Sequence, residues 1–209
     1  MTQHHQLIYI HDPMCSWCWG FSPTLKQLQK QLPPRLGFTR LLGGLAPDND
    51  QPMPEALQSK LQDTWRQIQS RIPGTRFNFD FWRDSRPRRS TWPACRAVIA
   101  AREFDPSLEQ PMIEAIQGAY YLDARNPSDT DTLAALAIEL GLNDIEFTRR
   151  LNATRTREIL EQEIRQARRI GADSFPSLRL QTGDSFWPVP VDYTKPGSML
   201  DTIHALMNN

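Results

Sequence analysis

Cysteine is scarce in this chain, with three in 209 residues. That count excludes a disulfide-stapled scaffold. No charge of one sign dominates: 24 basic and 24 acidic residues leave a formal net charge of +0. The balance favours neither nucleic acid nor an anionic membrane surface as a partner. The arginines at Arg86, Arg88 and Arg89 and at Arg165, Arg168 and Arg169 read as solvated faces. No apolar run approaches the roughly 18 residues of a membrane-spanning helix. The opening stretch 1–6 lacks the basic start and long apolar core of a signal peptide, so the expected location is the cytoplasm. His4 and His5 read as ordinary exposed residues. The length suits one domain with its own core, or one domain carrying a sizeable insertion.

Two of the three cysteines lie together, in Cys15-Ser16-Trp17-Cys18. They follow the apolar run Leu7-Ile8-Tyr9-Ile10 and precede a helical pattern that starts near Trp19. Cysteines three apart at a strand-to-helix junction can close a small disulfide. The first can also sit at a helix N-terminus, where unsatisfied N–H groups and the macrodipole favour negative charge. Such a setting turns a thiol into a nucleophilic thiolate. The spacing therefore reads as a redox motif. A zinc site would need a second ligand pair, and neither the distant Cys95 nor His11 supplies one, so no metal is expected. A purely structural bridge is weaker still, because so short a loop constrains the unfolded chain little.

The rest of the chain falls into three parts. Residues 7–10, a helix carrying Phe21, Leu25, Leu28 and Leu32 up to Pro33-Pro34, and a strand over 37–42 form a β-α-β unit. From about Met53 to Ile170 the periodicity is almost wholly helical, with Gly141 and Gly171 as stops. Only Phe77-Asn78-Phe79-Asp80-Phe81 alternates like a strand, and it reads as an extended surface segment. Strand signals return at 177–181 and from Phe186. Gly183-Asp184 is a hairpin turn, and Pro188 and Pro190 place the last strand near an edge. A helix over 198–207 closes the chain. The two ends must pair to complete one sheet, because two strands alone are marginal.

The expected fold is α/β: a thioredoxin-like fold, from 1–48 and 172–209, interrupted by an all-helical insertion over 49–171. The order of elements, with C-x-x-C at the first helix, resembles the DsbA-like version of the thioredoxin fold. The stretch Asp12-Pro13-Met14-Cys15-Ser16-Trp17-Cys18-Trp19-Gly20-Phe21-Ser22-Pro23 is similar to the cytoplasmic, FrnE-like branch, commonly described as protein-disulfide isomerases. Further matches are Pro93-Ala94-Cys95-Arg96-Ala97, Phe175-Pro176-Ser177-Leu178, Gly183-Asp184 through Pro190, and Asp192-Tyr193. The resemblance spans nearly the whole chain. It implies that Cys15 is the exposed nucleophile that forms a mixed disulfide and Cys18 the partly buried resolving thiol. It implies a cis bond before Pro176, with the Phe175 backbone pairing with an extended substrate. Ser16, Trp17, Phe175 and Pro176 are thus the candidate substrate-binding residues.

Two departures stand out. Many thioredoxin-like proteins keep a buried acid six residues before the first cysteine, where this chain has Tyr9. Asp12 reads as a turn residue before Pro13. The dipeptide between the cysteines is Ser-Trp rather than Pro-His, so no histidine helps to hold the thiolate. A weaker oxidant than the DsbA extreme is expected, near the middle of the range from about −120 to −270 mV. Trp19, inside the helix, reads as core packing. Cys95, among Ala94, Ala97 and Val98, reads as a buried small hydrophobe.

These residues predict a thiol–disulfide oxidoreductase/isomerase acting on protein or peptide thiols and disulfides. It binds no cofactor, with glutathione as a candidate redox partner, and neither nucleic acid nor membrane is a partner. Oligomeric state is left open. Two other readings stand beside it. Kappa-class glutathione transferases and 2-hydroxychromene-2-carboxylate isomerases resemble the same layout, but they typically carry serine where this chain has Cys15. A client-binding chaperone with merely regulatory cysteines is the third reading.

Overall fold

The computed structural model describes residues 5–208. His4, expected to be exposed, and the rest of 1–4 lie outside the described residues, as does Asn209. The chain divides into two compact units, Met1–Gly43 with Glu163–Asn209, and Gly44–Gln162. The sequence places these borders at 48/49 and 171/172.

The first unit holds a four-stranded sheet. β1 (His5–His11), β2 (Gly37–Leu42), β3 (Ser177–Thr182) and β4 (Ser185–Val189) lie in the order β2-β1-β3-β4. β1 runs parallel to β2, with Tyr9 opposite Arg40, and antiparallel to β3, with Tyr9 opposite Leu178. The two ends of the chain thus complete one sheet. β1 is central and reads as a continuous apolar run because both its faces are covered. Leu7 and Tyr9 pack with Phe21, Leu25 and Leu28 of α1 (Ser16–Gln31) and with Met199 and Ile203 of α9 (Gly197–Met207). Ile8 and Ile10 pack with Leu41, Ala167, Ile170 and Ala172 on the other face. Pro188 sits in the edge strand β4, where its missing N–H costs no ladder bond to a further strand.

The second unit is helical: α2 (Glu55–Arg71), α3 (Asp80–Asp84), α4 (Trp92–Phe104), a 3-10 turn (Pro106–Leu108), α5 (Glu109–Tyr121), α6 (Thr130–Glu139) and α7 (Asp144–Leu151). α8 (Thr154–Arg169) contains the border between the units. It stops two residues before Gly171, whose φ of 75° is the left-handed C-terminal conformation that glycine adopts without strain. α4 is buried all round from Ala94 to Ala101, which includes Cys95. The same stretch buries Arg96, whose guanidinium pairs with both carboxylate oxygens of Asp48 at 2.9 and 2.8 Å.

Three expectations are corrected. The Phe77–Phe81 alternation forms no strand. Phe77 stacks on the fully buried Trp65 at 4.8 Å, Phe79 meets its edge at 5.5 Å, and Phe81 begins the buried face of the short α3. The aromatic spacing serves a cluster rather than a pleat. His5 is buried, its Nδ1 lying 3.2 Å from Thr182 Oγ1 across the β1–β3 pair. Arg88 is no solvated face residue; it donates to Asp129 at 2.6 Å and to the Ser128 carbonyl at 2.8 Å.

Candidate active site

The site starts from a turn. The Asp12 carboxylate accepts from the Met14 N–H at 2.8 Å, and its carbonyl accepts from the Cys15 N–H at 3.0 Å. This Asx-type turn is what an aspartate favours, its side chain bonding the backbone two residues on. It leaves Cys15 as the N-cap of α1, with extended φ −79° and ψ 115°. The Cys15 carbonyl then accepts the first helical bond, from Trp19 at 3.0 Å. The helix therefore begins at Ser16, earlier than the apolar period showed. Ser16, Trp17 and Cys18 form its first turn.

Both thiols are free, and Cys15 lies close enough to Cys18 to raise that thiol's proton affinity. Cys18 is 1% exposed. Cys15, expected to be exposed, is only 6% exposed, which corrects the sequence expectation. Its covering comes from far along the chain, because Cys15 Sγ lies 3.5 Å from the Phe175 carbonyl. The Phe175–Pro176 bond is cis, and Pro176 is buried. The Phe175 ring occupies space that a β-carbon on Gly43 would fill. Gly43 is held in turn by its N–H donating to the His11 carbonyl at 2.6 Å, just beyond the β1–β2 pairing.

Trp17 is half-buried against Tyr193 at 5.2 Å, and Tyr193 meets the edge of Phe21 at 5.9 Å. Thr24 Oγ1 donates to the Tyr193 carbonyl at 2.7 Å, tying that segment to α1. Ser16 is buried. Trp19 is half-buried rather than a core residue. The structure thus gathers Cys15, Cys18 and Phe175, with Trp17 at the flank beside Tyr193.

Burial dominates the electrostatics. It pushes the Cys18 thiol well up, and the hydrogen bond and charge of Cys15 add to the rise; the backbone of Asp12 and the hydroxyl of Tyr9 act the other way. Burial, followed by the charge of Cys15 and Cys18, pushes the Tyr193 phenol up to about 12. Tyr9 is raised well above an ordinary phenol, first by burial and then by Cys18. Nothing in the sequence marks Tyr193 or Gly43 as part of the site. Tyr9 reads there only as a missing acid, although a hydroxyl inside the run Leu7-Ile8-Tyr9-Ile10 is a signal. Among the described residues, no three His, Cys, Asp or Glu side chains converge as metal ligands. No described helix is long and apolar enough to cross a membrane.

A solved structure from Nitrosomonas europaea, of a protein proposed to be a disulfide isomerase, matches with a TM-score of 0.84 at 24% identity, covering 98% of each chain. The cytosolic disulfide reductase DsbM from Pseudomonas aeruginosa matches with a TM-score of 0.77 at 25% identity, covering 97% of this chain and 98% of that one. The ClpXP adapter protein SpxH of Halalkalibacterium halodurans is 24% identical over 171 residues, 80% of this chain and 55% of its own length. The chain therefore spans about half the length of that curated relative. The family model of the DsbA-like thioredoxin domain matches residues 6–190, and with the dithiol at the start of α1 and the sheet order given above, the chain belongs to the DsbA-like thioredoxin family.

Proposed function

We propose that the chain is a cytoplasmic thiol–disulfide oxidoreductase/isomerase working on protein or peptide substrates. The observation that carries this is the dithiol itself: Cys15 at the N-cap of α1, with the buried thiol of Cys18 one turn on and close enough to feel its charge. In the reducing direction the Cys15 thiolate attacks a substrate disulfide and forms a mixed disulfide. Cys18 then attacks Cys15 Sγ and releases the second substrate thiol. Two electrons and two protons pass from the dithiol to the substrate. A reducing compartment would keep the resting form as dithiol, which suits reduction or isomerisation better than net oxidation.

Trp17 is the apolar contact for the substrate chain in this reading, with Ser16 beside it. Phe175, next to Pro176, offers its backbone to an extended substrate, as in strand addition. The Phe175 carbonyl at 3.5 Å from Cys15 Sγ supports that arrangement. Glutathione is the recycling reductant. A cytosolic disulfide reductase of similar fold, at 24% identity, was solved with GSH, which supports both the partner and the compartment. Glutathione transfer or 2-hydroxychromene-2-carboxylate isomerisation would make no use of Cys18, and neither would a chaperone or adapter role.

The test is trapping. The Cys18→Ser variant should hold a reduced-and-reoxidised model protein as a covalent adduct on Cys15, seen by mass spectrometry. Cys15→Ser should hold none. Equal capture by both variants, or by neither, would remove the reading.

A further inference from the structure

We propose that Tyr9 is a catalytic residue of the dithiol, donating a hydrogen bond from its hydroxyl to Cys18 Sγ whenever that sulfur carries negative charge. This rests on the oxidoreductase reading. Tyr9 is 4% exposed, in the middle of the central strand, and its hydroxyl is a hydrogen-bond partner of Cys18. Its ring is clamped. It stacks on His11 at 4.9 Å with 5° between the planes, and leans on Phe21 at 6.0 Å. Backbone pairing to Arg40 on one side and Leu178 on the other fixes the residue along the strand. The donor is therefore held in place before any reaction begins.

The chemistry gives such a donor a task in both directions. In reduction, Cys18 loses its proton, its sulfur attacks Cys15 Sγ, and the bond from Cys15 to the substrate sulfur breaks. The electron pair leaves on the substrate sulfur, which takes up the proton. In oxidation, a substrate thiolate attacks Cys15 Sγ, the Cys15–Cys18 bond breaks, and the electron pair goes to Cys18 Sγ. Each path puts charge on a sulfur that is 1% exposed and gains little from bulk water. Burial holds Tyr9 protonated, so it serves as a standing donor and not as the base that a carboxylic acid could be. The other groups acting on this pair are Cys15 and the Asp12 backbone on Cys18, and Cys15 and Arg40 on Tyr9. Tyr193 feels both thiols, and His11 lies against the Tyr9 ring.

Tyr9→Phe keeps the ring and removes the donor. A peptide mixed disulfide is formed on Cys15, and release of the peptide by Cys18 is followed in single turnover. Release should slow roughly ten- to a hundredfold, the worth of one hydrogen bond to a charged group, while capture by Cys15 stays within about twofold. In a Cys15→Ser background, thiolate absorbance should show Cys18 titrating at higher pH once Tyr9 is Phe. Replacing Tyr9 with 3,5-difluorotyrosine, a stronger donor of nearly the same shape, should move the titration the opposite way. Peptide release at the parent rate in Tyr9→Phe, with the Cys18 titration unmoved, would overturn the proposal. Failure of the parent protein to form any Cys15 mixed disulfide would instead sink the oxidoreductase reading, and the Cys18 titration would still report whether Tyr9 stabilises that sulfur's charge.

Discussion

The Phe175 ring fills the space that a β-carbon on Gly43 would take, and the carbonyl of the same phenylalanine lies 3.5 Å from Cys15 Sγ. The glycine is thus a floor for the segment that covers the first thiol. Gly43→Ala would drive a methyl into two ring carbons of Phe175, which must move. The expected cost is that of overpacking, about 1–3 kcal/mol. The variant should also expose Cys15, seen as faster alkylation by a bulky maleimide. Unchanged stability together with unchanged alkylation would mean that Phe175 yields freely.

Alkaline pH should weaken the fold in its dithiol form. Burial raises both Cys18 and Tyr9, so the folded chain holds these protons more tightly than the unfolded one. The stability they contribute is complete below the unfolded values, about 8.5 for cysteine and about 10 for tyrosine. It is lost as pH rises through the folded values. Urea midpoints should therefore hold level from pH 6 to about 8 and fall above about 8.5. Cys18→Ala should remove the earlier part of the fall. A midpoint that climbs between pH 8.5 and 10 would contradict the assignment.

In the helical unit, Arg96 is anchored by Asp48, which also accepts from Arg157 at 3.2 Å. The Arg96 side chain is only 10% exposed. Asp48→Ala leaves that cation buried without its partner, at a cost of about 3 kcal/mol. By contrast, the Arg149–Glu146 pair is solvent-facing and screened, and Arg149→Ala should shift the denaturation midpoint far less than Asp48→Ala does. Chemical denaturation of the two variants gives the comparison. Equal effects would show that burial does not separate these pairs.

Trp65 gathers Phe77, Phe79, Phe81, Trp82, Tyr120 and Tyr121 around one indole. Trp65→Ala should cost about 3–5 kcal/mol, read from the denaturation midpoint. A loss under about 1 kcal/mol would mean that the surrounding rings close the gap.

Features set within a few residues were legible in the sequence. The apolar run of β1, the Asp12 turn, the glycine stop after α8 and the proline-bearing hairpin all follow from local chemistry. So did the two cysteines at a helix start. What escaped depends on partners distant in the chain. Phe77 to Phe81 mimics a strand period, yet the rings answer to Trp65. Cys15 looked open because its cover, Phe175, lies 160 residues on. His5 looked exposed because Thr182 closes over it from β3. Tyr9 read as an absence, a missing acid, because its place beside Cys18 needs the strand and helix packed together.

The central claim is a working couple between Cys15 and Cys18. Its most direct test is equilibration against a glutathione buffer series, followed by tryptophan fluorescence, with Trp17 and Trp19 beside the thiols as reporters. One two-electron transition is expected, with a midpoint between about −120 and −270 mV, and it should vanish in Cys15→Ser. A flat response across the series, or a transition that survives Cys15→Ser, would contradict it.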